Sequence, residues 1–76
     1  MTDDELHLQN LLRDYKKTYE GKKNRLAEPA RRMYLMYMLE TLMRLKGFAS
    51  EPVLLKHYIG QCIIDTEKML YFLKTA

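Results

Sequence analysis

Cysteine is nearly missing from this chain. Cys62 stands alone among 76 residues, so no disulfide can close within one copy, and a small core must be supported in some other way. A single cysteine also fits a reducing compartment. Proline occurs twice and glycine three times. Hairpins draw heavily on such residues, and strand-like alternation is absent as well, which excludes a β-rich class. Long apolar runs are lacking too. The best candidate is interrupted by Glu40, Arg44 and Lys46, far short of the ~18 uninterrupted residues of a transmembrane helix. The opening Met-Thr-Asp-Asp-Glu is acidic where a secretory signal would be basic, and no apolar stretch follows it. A soluble, intracellular (cytoplasmic) protein without a membrane role is therefore expected. Nor is the charge strongly one-sided: +3 overall does not by itself imply nucleic acid.

What is present is apolar and helix-compatible. Hydrophobic residues make up 47% of the chain, with six tyrosines and six methionines, a composition of folded domains and not of disordered ones. The expectation is an all-α protein: one domain over residues 1–76, a compact three-helix up-down-up bundle with helices at about 3–24, 29–46 and 51–74. A core this small is often completed by association, so a homodimer joined through the second and third helices is also expected.

The punctuation supports these boundaries. Thr2-Asp3-Asp4-Glu5 matches a capping box, and its acids suit the positive end of the helix dipole. Leu8, Leu11, Leu12, Tyr15 and Tyr19 follow as a single stripe. Gly21 weakens this helix by about 1 kcal/mol relative to alanine and leaves its end between Gly21 and Leu26. Glu28-Pro29 opens the second helix. Gly47 suits a left-handed C-terminal cap, with Phe48 folding back on Met43. Ser50 then reads as the N-cap of the third helix. Along that helix Leu55, Ile59, Cys62, Thr66, Met69 and Leu73 repeat at 4-3-4-3-4 spacing, an a/d seam. Leu54, Ile63, Leu70 and Phe72 broaden it, and Gly60 suggests a close helix–helix approach.

The stretch from Met33 to Leu45 has ten apolar residues in thirteen positions. On a helical wheel Leu35, Leu39 and Leu42 mark one side, widened by Met38, Leu45 and Tyr34 and by Met36 and Met43. This arc exceeds the roughly 100° stripe a surface helix needs. Met33 and Tyr37 fall outside it, beside Glu40 and Arg44. A helix so apolar calls for cover on nearly all sides, and a partner surface made by Met33, Tyr34, Tyr37, Glu40 and Arg44 is the first expectation.

The competing expectation is nucleic-acid binding. From Arg13 to Arg32 the chain carries a net +5, against −2 elsewhere. Arg13, Lys16, Lys22, Lys23, Arg25, Arg31 and Arg32 would contact phosphates around the first inter-helix turn. Asp14, Glu20 and Glu28 dilute the tract, and no helix-turn-helix or zinc-finger signature accompanies it. A solvated helix face explains the charge equally simply.

Catalysis finds little support. His57 and Cys62 diverge on a helix and His7 is remote, so no zinc-site spacing arises. Cys62 occupies a seam position and reads as a small buried hydrophobe. Ser50 has no base to activate it, Asp65 and Glu67 face different ways, and no glycine-rich phosphate loop exists. No enzyme, cofactor or metal is expected. The sequence points to a small protein-interaction module, a regulator or adaptor that binds another protein or itself, with nucleic-acid binding as the alternative.

Overall fold

The computed structural model describes residues 2–75 and forms three helices: α1 (Asp3–Lys22), α2 (Glu28–Gly47) and α3 (Pro52–Thr75). The described residues contain no strand. α1 starts where its cap places it. Thr2 has an extended backbone, and its Oγ1 accepts the Glu5 N–H at 3.2 Å. The helix runs through Gly21 and ends one residue later, where the Lys23 N–H donates to Tyr19 O. α2 opens with Pro29 in its first turn, on an N-cap residue, Ala27, that offers no side-chain bond.

Two helix ends differ from the sequence expectations. Gly47 is the last residue of α2 and no described glycine has a positive φ, so the left-handed cap does not form. The chain continues right-handed, and the Phe48 N–H donates to Arg44 O. Phe48 stacks on Tyr58 of α3, with ring centroids 4.3 Å apart and nearly parallel. α3 starts at Pro52, with Glu51 O accepting the Leu55 N–H at 2.8 Å. The residue that enters this helix is thus Glu51, one position beyond Ser50.

α1 and α3 are the intimate pair. Leu8 packs with Ile59 and Cys62, while Tyr15 and Tyr19 pack with Leu70 and Leu73. The two helices therefore run in the same direction. Leu45, near the end of α2, joins the Leu8–Ile59 cluster, whereas Ala30 and Tyr34 join the Leu73 end, so α2 runs the opposite way. The 24 residues of α3 span about 36 Å at ~1.5 Å each, close to the 39 Å long axis of the molecule. The expected α3 seam lies inside: Ile59, Cys62, Thr66 and Leu73 are buried, as is Leu70 beside them. Leu54 and Phe72 do not broaden it, because both are exposed. Gly60 mediates no close approach either; a Cβ built there meets nothing within 4 Å.

The largest correction concerns α2. Its inward side is Ala30, Tyr34, Tyr37, Met38, Thr41 and Leu45. Leu35, Leu39 and Leu42, which the wheel marks as the centre of its apolar arc, are exposed instead. Both sides are apolar enough to be buried. The tyrosine side wins because it brings large rings tied to the other helices, the Tyr37 hydroxyl to α3 and the Tyr34 carbonyl to the Tyr15 hydroxyl of α1.

Candidate functional site

Tyr15 of α1 is the hub of the α2 interface. It is fully buried, and its hydroxyl donates to Tyr34 O at 2.7 Å. Its ring meets those of Tyr34 and Tyr37 edge to face, at 6.1 and 6.2 Å, the arrangement aromatic quadrupoles favour. The Tyr37 hydroxyl lies 3.4 Å from Cys62 O, to which it donates, and 3.3 Å from Thr66 Oγ1. Thr41 donates its own hydroxyl to Tyr37 O at 2.9 Å. Among the described residues no buried side-chain nitrogen or oxygen lacks a partner, so this polar seam avoids the penalty of a desolvated orphan. Burial pushes the Tyr15 hydroxyl well above the ordinary tyrosine range, and the neighbouring tyrosines add to the effect. Tyr37 is raised mainly by burial, against the lowering effect of its hydrogen bonds to Thr66 and Thr41. The Cys62 thiol is raised by burial and by Asp65, with Arg44 pulling the other way.

The five residues expected to contact a partner are therefore divided. Tyr34 is buried and Tyr37 half-buried, both tied into this seam. Met33, Tyr37 and Glu40 line an open groove of about 810 Å³ between α2 and α3, together with Met36, Met69 and the pair Glu28–Arg32. Arg44 is exposed one turn further on. Tyr37 turns its hydroxyl and one edge of its ring inward and still contributes to the wall of the groove.

The unpartnered side is larger than the sequence suggested. Leu35 is 45% exposed, Leu39 59%, Leu42 49%, Met36 59% and Met43 73%, with Met33 adding 53% at the groove edge. Six large apolar side chains thus lie open on one helix of a molecule whose core is small. Scattered exposed leucines are ordinary; a contiguous row on one helix is not. Helical periodicity carried the signal for this row; what it lacked was any indication of which side the tyrosine hydroxyls would claim.

No family model matches this chain, and no curated protein or solved structure matches it either.

The basic residues gather at the opposite kind of surface. Lys17, Lys22, Arg25 and Lys74 surround a shallow polar hollow with Asp14 and Thr18, where the end of α1 meets the end of α3. The Lys22 ammonium donates to Lys74 O at 3.0 Å. Lys23 pairs with Glu20 at 3.0 Å and Arg32 with Glu28 at 2.6 Å, so two of the expected phosphate contacts are matched by acids three or four residues before them. Arg13 and Lys16 are exposed on α1, and Arg31 is half-buried. Sequence reasoning did not connect Lys74 to this tract, because 49 residues separate it from Arg25.

Potential reactive groups are dispersed. His7 lies 3.3 Å from the Glu67 carboxylate on the surface, His57 packs edge-on against Tyr58, and Cys62 is buried. The described residues contain no group of three or more His, Cys, Asp or Glu placed to hold a metal ion, and no described helix is long and apolar enough to cross a membrane.

Proposed function

We propose that this chain is a small helical protein-interaction module, a regulator or adaptor that acts by presenting α2 to other proteins. The observation that carries the reading is the open apolar row on α2, continuous with the methionine-lined groove beside α3. Methionine suits such a surface: its unbranched, polarisable side chain adapts to a partner's shape at little cost. Glu40 and the Glu28–Arg32 pair rim the groove and supply the polar edge that fixes orientation. The tyrosine seam beneath holds α2 in place, so the surface is presented by a fixed helix.

Site-specific photocrosslinking tests this. With a crosslinking residue at Met36, one defined protein adduct is expected in the source cells. The purified adduct partner should then bind the isolated chain, and Met33→Asp should weaken that binding at least tenfold. Crosslinking at exposed Lys16 should not give the same adduct. Equal adducts from both positions, or a partner indifferent to Met33→Asp, would sink the assignment.

A second reading is supported by the hollow at Lys17, Lys22, Arg25 and Lys74, which gathers cations from two chain segments as a phosphate site would. It requires nucleic-acid binding that falls steeply with salt, by about 0.9 log units per log unit of salt for each duplex phosphate contacted.

A further inference from the structure

We infer that two copies of this chain pair through the outer face of α2, with the two helices antiparallel. This rests on the reading of the chain as a protein-interaction module and names a second copy as one of its partners. Glu28, Arg32, Leu35, Leu39, Leu42 and Lys46 follow one another at 4-3-4-3-4 spacing, and every one of them is exposed. They form a second a/d seam on the exposed side of α2, bordered at one end by the groove against Met69 of α3 and at the other by the hollow that Leu42 shares with Leu8 and Leu12 of α1. The tyrosines of the inner side play no part in it.

Charge along this seam selects the occupant and its direction. The middle is leucine; the N-terminal end carries an acid and the C-terminal end a base. An antiparallel pairing about position 37 sets Glu28 opposite Lys46 of the second copy and Leu35 opposite its Leu39. Arg32 then covers Leu42 with its aliphatic stem, leaving the guanidinium free to stay on Glu28, where it already sits at 2.6 Å. Every layer joins an a position to a d position, as antiparallel coiled coils require. A parallel pairing would instead stack Glu28 on Glu28, Arg32 on Arg32 and Lys46 on Lys46, three like-charged layers. Antiparallel packing also opposes the helix dipoles favourably. Met36 and Met43 flank the leucines and would close over the seam. Two-fold pairing buries the same row on both copies, which answers the shortage of core in a 76-residue chain.

Light scattering on the purified full-length chain reads the outcome. The expected mass is twice the 9.1 kDa of one chain. Leu39→Glu should give a monomer with unchanged helicity, since Leu39 is largely exposed within one copy; if it loses helicity, Met43→Glu replaces it. Direction is read by charge reversal. Lys46→Glu should raise the dimer dissociation constant roughly tenfold, because each dimer loses two opposite-charge pairs. The double variant Glu28→Lys/Lys46→Glu should restore it to near the starting value. A wild-type monomer at several hundred micromolar would overturn self-pairing and leave the photocrosslinking test of the wider reading untouched. A dimer indifferent to Leu39→Glu would overturn the seam. A dimer broken by Leu39→Glu but indifferent to Lys46→Glu would overturn the antiparallel register.

Discussion

Tyr34, Tyr37 and Thr41 on one side of α2, and Leu35, Leu39 and Leu42 on the other, interleave along the same stretch of one helix. The aliphatic side is the more hydrophobic by any transfer scale, yet it is the side left open. The difference teaches that burial here follows completeness of contact and not greasiness alone. A tyrosine removes a large ring from water and can anchor its hydroxyl on a neighbouring helix. Tyr15 on Tyr34 O, and Tyr37 between Cys62 O and Thr66, do this across 19 to 29 residues of chain. A leucine row has no such anchor, and left exposed it strands no polar group. It can be covered or uncovered without breaking a hydrogen bond, which is what a recognition surface needs.

The comparison can be broken most severely from the tyrosine side. Tyr15→Ala should destabilise the fold by about 3–5 kcal/mol, the range for deleting a buried aromatic side chain, measured as a loss in denaturant midpoint. Alkaline pH attacks the same seam without mutation. Tyr15 and Tyr37 bind their protons more tightly folded than unfolded. Their contribution is therefore intact below the ordinary tyrosine value of 10.0 and is lost as pH rises above it. Cys62, raised from 9.0 by burial, acts in the same direction and begins to weaken the fold about one unit earlier. A series of denaturant midpoints from pH 8 to pH 12, at about one-unit steps, should fall continuously across the upper half. A flat profile would mean that the hydroxyls are not held as described. On the leucine and methionine side the expected effect is small. Met43→Gln at low concentration should change monomer stability by no more than about 0.5 kcal/mol, as surface substitutions do. Comparable losses from Met43→Gln and Tyr15→Ala would erase the distinction between the two sides.

Most of the architecture was legible because it is written locally. The Thr2 cap, the Glu28-Pro29 start and the Leu55–Leu73 seam each depend on residues within a few turns of one another, and they place three helices within two residues of where they lie. The sidedness of α2 was not legible. Its apolar residues cover most of the circumference, so periodicity carries no phase, and the hydroxyl partners that decide the matter lie on other helices. Gly47 misled for a related reason: glycine permits a left-handed cap but does not compel one. Of the expected contact residues, Met33 and Glu40 were readable as exposed. Tyr34 was not, since nothing in its neighbours tells that Tyr15 will reach its carbonyl.

Cys62 gives the tyrosine seam a time axis. Its thiol is buried in the cluster with Leu8 of α1 and Ile59, its backbone carbonyl accepts the Tyr37 hydroxyl of α2, and it is the sole sulfhydryl in the chain. A thiol reagent can reach it once the helices part, so the labelling rate in native buffer reports how often that opening occurs. The chain thus carries its own clock for the breathing of the bundle, and the rate should slow when a second copy settles on the outer face of α2.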